Sequence, residues 1–488
     1  MKKRSFDLSD WASSIYLVVM FSVFPYYHAD GFYYIGDHKY RFFQYATLAL
    51  LAAVAVSVLL RGIGRAFPKQ DIPVLAYASS AAISFLFCID RRAGLYGTAD
   101  WRMGLISQVA FVFLYLVISR KWSWRDSMFP LICISSAGVF LLGILNRFYV
   151  DPLGMYEGMD DAFIQMFLST IGQSTWYSSF VCVLFPVGIF LFWKKAGWQS
   201  VGYMVLAFSA AVTSGSDSAV AALGVVMLMV MWRAFGSRDD WRKFLQLLMV
   251  MCGTFAGTGA LRRLFPAVEI GGLAAFLSDG RAAIPALAIL SLGYWRWSCR
   301  QYRWDAGVMR RVRNILYAGI GACVSGVLAF VVLNSVNGWV EGSYLLFDES
   351  FGNNRGFTWM LTARLYEEFP FMRKMFGVGP DCYEAAVYAR FSSQLNHLWG
   401  NDAVLSCAHN EMLNALVCYG AVGAVAYYGI FAAELKRCLK VRGISEEFAV
   451  ALCIASYLAH NFFCYQQVVC TPFIFLLMGM AESRLRKR

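Results

Sequence analysis

Apolar residues run in long stretches along this 488-residue chain, and shorter polar segments separate them. Counted against about 20 residues for one membrane crossing, the stretches predict fourteen helices. Several are shorter than a full crossing, so the pattern predicts about twelve to fourteen transmembrane helices in an all-α polytopic bundle. The stretches lie near 12–28, 42–60, 73–89, 104–119, 129–146, 175–193, 199–213, 217–233, 244–260, 283–298, 315–334, 411–433, 447–463 and 468–483.

The composition agrees with a membrane protein. Hydrophobic residues make up 59% of the chain and charged residues only 15%, whereas soluble domains carry about 25% charge. The 13 cysteines form no C-x-x-C pair, and most fall inside apolar stretches. They are therefore predicted to be small buried hydrophobes rather than a metal site. No metal-binding or phosphate-loop motif is present, so no metal and no cofactor is predicted.

The basic residues predict the orientation of the chain. Cytoplasmic loops of membrane proteins are rich in Lys and Arg. If the N-terminus is cytoplasmic, 29 of the 43 basic residues fall in inner segments and 14 in outer segments. This predicts an even number of crossings with both termini cytoplasmic. The net charge of +12 then lines the inner membrane face and contacts membrane lipid, and no nucleic-acid partner is predicted.

The helix pattern divides the chain into three parts. Residues 1–334 form an N-terminal bundle of about eleven helices, and residues 411–488 form three C-terminal helices. Between them, residues 335–410 form the one extended polar region. The charge rule places this large loop outside the cytoplasm.

The large loop contains its own helical pattern. Four apolar residues recur at every fourth position and predict an amphipathic helix that lies in the membrane interface: Phe357, Leu361, Leu365 and Phe369. Pro370 marks the end of this helix. The glycine-rich segment 376–381 then predicts a tight turn.

His409 is the most informative single residue. It ends the large loop, directly before an apolar helix that contains Gly420 and Gly423. An imidazole titrates near neutral pH and can accept or donate a proton there. Such a group at a membrane surface, beside a large outer loop, indicates chemistry on a lipid-linked substrate.

Three segments of the chain, taken in order, resemble the superfamily of O-antigen ligases and O-antigen polymerases. The first is Arg355, followed four positions later by Trp359. The second is Pro370 with the 376–380 turn. The third is His409-Asn410, followed by Gly420 and Gly423. The resemblance is strongest over 355–430, and three helices follow the loop, as in the family.

The resemblance implies a metal-independent membrane glycosyltransferase at the outer face of the cytoplasmic membrane. Its donor is a glycan on undecaprenyl diphosphate, and its acceptor is a hydroxyl of another glycan or lipid-glycan. Arg355 is the expected ligand of the diphosphate, because a guanidinium binds phosphate oxygens bidentately. His409 is the expected proton acceptor. The shared motifs do not separate a ligase from a polymerase.

One part of the family pattern is altered. The family has a Ser-Arg pair in a short outer turn between earlier helices, and the best match here is segment 213–219, with Asp217 where Arg is expected. Arg281 also begins a helix from the outer side and is a candidate for the missing cation. The simpler alternative is that Arg281 extends to the membrane interface as an ordinary surface residue.

Four further residues are candidates for substrate binding, each with a structural alternative: Arg364, Asn410, Trp359 and His460. Arg364 is placed to pair with Glu367 or Glu368 on one helix surface. Trp359 is of a residue type that commonly anchors a protein at the membrane interface. Asn410 follows the candidate base, and His460 begins a second His-Asn pair near the outer end of the thirteenth helix.

Two cysteine pairings are open outside the cell. Cys382 could pair with Cys407, or Cys464 with Cys470, and spacing alone does not establish either one.

Two other classes of function are consistent with a polytopic chain. A transporter or flippase for lipid-linked oligosaccharide would be expected to keep charged groups inside its bundle, and the middles of the predicted helices here are nearly free of charge. A non-catalytic partner in envelope-glycan assembly is the third alternative. The concentration of polar chemistry on one outer loop favours the enzyme.

Overall fold

The computed structural model describes residues 7–62, 68–299, 304–341, 345–400 and 404–487. Within these ranges the regular secondary structure is almost entirely helical. The first part contains α1 (Leu8–Ser22), α2 (Ile35–Arg61), α3 (Ile72–Leu86), α4 (Arg91–Tyr96), α5 (Leu105–Lys121), α6 (Met128–Arg147) and α7 (Asp161–Ile164). The strands β1 (Phe167–Leu168) and β2 (Gly172–Gln173) follow as a small antiparallel hairpin.

From residue 174 onward, all regular elements of the described chain are helices. Before the large loop these are α8 (Ser174–Lys194), α9 (Trp198–Thr213), α10 (Asp217–Ala234), α11 (Arg238–Leu264), α12 (Gly272–Ser278), α13 (Gly280–Cys299) and α14 (Ala306–Asn337). The loop contains α15 (Phe351–Glu367), α16 (Phe371–Phe376) and α17 (Tyr383–Trp399). The chain continues with α18 (Glu411–Leu439), α19 (Glu446–Asn461) and α20 (Thr471–Leu485).

Each of the fourteen predicted stretches coincides with one helix. The largest differences are at helix starts, because a polar first turn is helical without being apolar. Thus α2 begins at Ile35, ahead of Asp37 and Lys39. Lys39 is fully buried, and its ammonium donates to three backbone carbonyls in segment 24–27 at 2.9–3.0 Å.

Eight helices of the described chain are long and apolar enough to cross a membrane, or nine if the bent pair α12–α13 counts as one span. The other five helices that coincide with predicted stretches have 15–17 residues each: α3, α5, α9, α19 and α20. At about 1.5 Å per residue they fall short of a hydrocarbon core of about 30 Å. The all-α class is confirmed, and several helices are able to cross a membrane. The count of twelve to fourteen crossings stays a prediction.

The centre of the bundle is formed by helices that are buried on nearly all sides. Most residues of α8, α19 and α20 have almost no exposed surface. Helix α8 packs on α19, and α20 packs on α5. Helix α14 is the opposite case, since no residue in its most apolar window is buried. Its Tyr317 donates to the carbonyl of Leu228 on α10.

Ion pairs join the connecting segments at one end of the bundle. Asp71, just before α3, binds Arg120 at the end of α5 and Arg486 after α20. At the same end, Arg437 binds Glu482 at 2.7 Å. The charge rule assigns this end to the cytoplasm, and that assignment stays a prediction.

The amphipathic pattern of the large loop has a different role from the one the sequence predicts. Leu361, Leu365 and Phe369 form one buried cluster with residues of α17 and α18, among them Val387 and Ala415. The apolar face of α15 is thus covered by protein rather than by the membrane interface. The helix ends at Glu367, close to the position that Pro370 predicts.

Candidate functional site

His409 and Asn410 form the turn that begins α18. His409 has a left-handed backbone with a φ of 48°. Asn410 is the N-cap, and its side-chain oxygen accepts from the N–H groups of Met412 and Leu413 at 3.0 and 3.1 Å. Such a cap satisfies donors that a helix start leaves without an intrahelical partner. Asn410 therefore fixes the helix start, and the turn before it directs the imidazole.

The imidazole of His409 rests against a buried aromatic residue. Its ring packs edge-to-face on Tyr465, with ring centroids 5.3 Å apart and an interplanar angle of 74°. Tyr465 lies between α19 and α20. Its hydroxyl accepts from the Trp176 indole and donates to Gln173, both at 3.3 Å. The ring that supports His409 is thus itself held in place.

Trp359 connects the large loop to this turn. Its indole N–H donates to the carbonyl of His409 at 3.4 Å. Its ring stacks on Phe463, with centroids 6.1 Å apart, and meets the edge of Phe462. Helix α15, the turn before α18 and the segment after α19 therefore meet at this residue.

Arg355 lies one helical turn before Trp359. The three residues before it, 352–354, all have a left-handed backbone. Its Nη1 donates to the carbonyl of Gly352 at 3.0 Å, whereas its Nε is buried without a hydrogen-bond partner in the described part of the chain. The guanidinium interacts electrostatically with both His409 and His460. Both imidazoles predicted from the sequence therefore lie within electrostatic range of Arg355.

The environment of His409 favours the neutral imidazole. Burial lowers its pKa from 6.5 to about 4, and the charge of Arg355 contributes in the same direction. Both effects disfavour adding a positive charge. At neutral pH the imidazole is therefore unprotonated and has a lone pair available to accept a proton.

His460 is a second buried imidazole close to Arg355. Its Nε2 is 2.8 Å from the Ser178 hydroxyl, and its Nδ1 is 3.1 Å from the side-chain oxygen of Asn461. Both ring nitrogens therefore have protein partners. This arrangement suits a positioning role better than direct contact with a substrate.

The 213–219 segment is organised by an arginine that the sequence pattern did not indicate. Arg147, at the end of α6, is buried and donates from Nε to the carbonyl of Thr213 at 2.6 Å. Its Nη2 donates to Ser214 at 3.0 Å, and its Nη1 donates to the side chain of Gln165 at 2.9 Å. Asp217 accepts from a backbone N–H of α12 at 2.8 Å. The sequence offered one signal for this role, because Arg147 is the only basic residue in the apolar helix α6.

Two predicted residues lie away from this group. Arg281 is exposed at the start of α13, where its backbone N–H donates to Asp279 at 3.0 Å. Arg364 is exposed on α15 and pairs with Glu368 at 3.4 Å, with its guanidinium 5.7 Å from the centroid of the Phe391 ring. The structure thus gathers Arg355, Trp359, Asn410, His409 and His460, and leaves out Arg281 and Arg364.

The two glycine-rich segments contact each other through their backbones. Gly420 interrupts α18 with a φ of 68°. The freed carbonyls of Val417 and Cys418 accept from the N–H groups of Val378 and Gly379, both at 3.1 Å. A Cβ on Gly420 would lie 2.4 Å from the backbone of Met375. Glycine is required here because the two chains approach too closely for a side chain.

Asp381 joins the same turn to the segment before α5. One carboxylate oxygen accepts from the backbone N–H groups of Thr98 and Met103, at 2.7 and 3.0 Å. Burial raises the pKa of Asp381 to about 6, against the opposing effect of these hydrogen bonds. Asp381 lines a small polar cavity together with Trp101 and Tyr465. Tyr465 therefore contacts the His409 ring and also lines this cavity.

Glu411 adds a buried carboxyl beside the candidate base. One of its oxygens accepts from the backbone N–H of Gln466 at 2.7 Å, and the other has no partner among the described residues.

Within the described residues, no group of three or more His, Cys, Asp and Glu side chains is arranged to hold a metal ion. Compared with known proteins, the chain matches no protein-family model and no curated protein.

Proposed function

We propose that the protein transfers a glycan from undecaprenyl diphosphate to a hydroxyl of an acceptor glycan or lipid-glycan, as an O-antigen ligase or polymerase does. The reaction would take place at the outer face of the cytoplasmic membrane, in the synthesis of cell-surface polysaccharide. The observation that carries this proposal is that Trp359, one helical turn after Arg355 on α15, donates to the carbonyl of His409, so that Arg355 and His409 are joined through one residue. One supplies a permanent cation and the other a neutral base.

Arg355 is suited to the donor's diphosphate. Its buried Nε has no protein partner in the described chain, so a donor N–H remains for a phosphate oxygen. A guanidinium can bind two such oxygens at once. Charge grows on the diphosphate as the sugar–oxygen bond breaks, and a fixed cation in a site of low dielectric stabilises that charge.

His409 is suited to the acceptor. The acceptor oxygen attacks the anomeric carbon of the donor sugar and forms the new glycosidic bond. The bond between that carbon and the phosphate oxygen breaks, and its electron pair leaves with undecaprenyl diphosphate. The proton of the acceptor hydroxyl passes to the imidazole of His409. General-base catalysis of this kind contributes about 10²- to 10⁴-fold.

The two residues are coupled through charge. A base with a pKa of about 4 is weak, and Arg355 is part of the cause. A bound diphosphate neutralises the guanidinium and adds negative charge beside the imidazole, and both changes favour the protonated form. Donor binding would therefore raise the pKa of His409 and strengthen the base at the moment when it is needed.

The buried cations elsewhere support an enzyme rather than a passage for charged oligosaccharide. Lys39 is bonded to three backbone carbonyls, and Arg147 is bonded through all three guanidinium nitrogens. Each of these cations is engaged in holding a turn. A flippase needs polar groups that line a route through the bundle.

The proposal is tested with purified protein, a lipid-linked oligosaccharide and candidate acceptors, with released undecaprenyl diphosphate as the readout. The wild-type protein is expected to release it only when an acceptor is present. His409→Ala should lower the rate by about 10²-fold or more. His397→Ala, a change at an exposed loop histidine, serves as the matched control and should keep the wild-type rate.

A normal rate in His409→Ala would contradict the proposal. Movement of the lipid-linked oligosaccharide across a vesicle membrane, without any transfer to an acceptor, would favour the transporter instead.

A further inference from the structure

Two cysteines from distant parts of the chain face each other. Cys88 follows the end of α3, and Cys382 follows Asp381 in the turn before α17. Their sulfur atoms are 3.3 Å apart, although the residues are 294 positions apart in sequence. Both thiols also lie against the carbonyl of Asp90, at 2.8 and 3.4 Å. Each sulfur is thus directed at the other within one shared environment.

The backbone around the two sulfurs is fixed by other contacts. The N–H of Ile89 donates to the carbonyl of Val378 at 3.0 Å. A Cβ on Gly379 would lie 2.6 Å from the Cys88 sulfur, and a Cβ on Gly94 would lie 2.2 Å from it. Two glycines therefore provide the space that this sulfur occupies. These contacts hold the two chain segments together without a bond between the sulfurs.

We propose that Cys88 and Cys382 form a disulfide that fastens the end of α3 to the glycine-rich turn. An S–S bond is about 2.05 Å long, so the two sulfurs, now 3.3 Å apart, need to approach by a little over 1 Å to form it. The pair lies at the end of the bundle that is predicted to be outside the cytoplasm, where disulfides persist. The inference rests on that orientation and not on the transfer chemistry.

The bond forms by thiol–disulfide exchange with an oxidant of the protein-disulfide class. Cys88 is the more exposed of the two, and its thiolate attacks one sulfur of the oxidant and releases the other as a thiol. Cys382 then attacks the Cys88 sulfur of this mixed disulfide and releases the second thiol. Two electrons and the two thiol protons pass to the oxidant.

The disulfide would hold the glycine-rich turn against α18, the helix that begins directly after His409 and Asn410. The turn that carries Cys382 also supplies Val378 and Gly379 to the kink at Gly420. A cross-link that closes so long a loop restricts the unfolded chain strongly. It would hold the turn on α18 even when the membrane-embedded helices around it move.

Peptide mapping of the protein taken from cells tests this proposal. Membranes are quenched in acid, denatured and alkylated without reductant, and then digested. The peptides that contain Cys88 and Cys382 should be recovered joined, and reductant should separate them. Cys88→Ser should leave Cys382 open to alkylation, whereas Cys133→Ser, a change at a buried thiol of α6, should leave the joined peptide in place.

Alkylation of both thiols in the cell-derived wild-type protein would overturn the proposal. So would a joined peptide between Cys382 and Cys407, the pairing that sequence spacing left open. The wild-type map needs no variant, so it stands even if Cys88→Ser does not fold. The same map of His409→Ala should show the joined peptide, which separates this result from the fate of the proposed transfer activity.

Discussion

The indole N–H of Trp359 donates a hydrogen bond to the main-chain carbonyl of His409 at 3.4 Å. This bond joins the loop helix that carries Arg355 to the turn that carries the candidate base. Because the carbonyl belongs to a residue with a left-handed backbone, Trp359 also stabilises an unusual conformation. Trp359 therefore helps to set the relative positions of the cation and the imidazole.

The pH dependence of the transfer rate should report on His409. Its pKa is lowered from 6.5 to about 4, and a base acts only when unprotonated. The kcat/KM for the lipid-linked donor reports on the free enzyme. It should stay constant as the pH falls through 6.5 and decline only near pH 4. The kcat, which reports on the donor complex, should begin to decline at a higher pH.

His409→Gln is the matched variant for this profile. It keeps hydrogen bonding but does not accept a proton, so the acid limb should disappear along with about 10²- to 10⁴-fold of the rate. An acid limb that persists unchanged in His409→Gln would assign the titration to another group.

Arg355→Lys should lose activity even though the positive charge is kept. An ammonium is a point charge and does not reproduce the two-pronged geometry of a guanidinium. We expect kcat/KM to fall about 10- to 100-fold, which corresponds to the loss of one hydrogen bond to a charged group. Arg373→Ala, at an exposed arginine of α16, is the control. Full activity in Arg355→Ala would remove this residue from the site.

Gly420→Ala should destabilise the protein strongly. The added Cβ would meet the backbone of Met375 at 2.4 Å, in a residue whose φ is 68°. Backbone strain alone costs about 1–3 kcal/mol at such a position. Gly429→Ala is the matched control in the same helix, since a Cβ there meets nothing within 4 Å.

Thermal unfolding in detergent distinguishes the two glycine variants. Gly420→Ala should unfold at a clearly lower temperature than the wild-type protein, and Gly429→Ala should remain close to it. Equal unfolding temperatures for the two variants would mean that the close approach of the two glycine-rich segments is not required.

Cysteine accessibility tests the orientation of the chain. Glu341 lies in the large loop, and Arg442 lies between α18 and α19; both are exposed. A membrane-impermeant thiol reagent should label Glu341→Cys in intact spheroplasts and Arg442→Cys only after permeabilisation. The wild-type protein gives the background from its own cysteines. Labelling of Arg442→Cys from outside would reverse the predicted orientation.

The sequence predicted the helices well because each one has a continuous local signal. The order of the short motifs around Arg355 and His409 also predicted one site for the two residues, and the roles proposed for them stay predictions. The sequence did not indicate Tyr465 or Asp381, because their roles depend on contacts between segments far apart in the chain. Arg147 was missed for the same reason, because its partners are backbone carbonyls and the Gln165 side chain in other segments of the chain.

The partners of Asp71 set an order of events during synthesis of the chain. Arg120 is made soon after Asp71, but Arg486 follows 415 residues later. At about 5–20 residues per second, this buried carboxylate waits roughly 20 s to more than a minute for its second cation. Until then the bundle lacks α20, which packs against α5. The end of the bundle opposite His409 therefore closes last, after the loop that carries the candidate site has already been made.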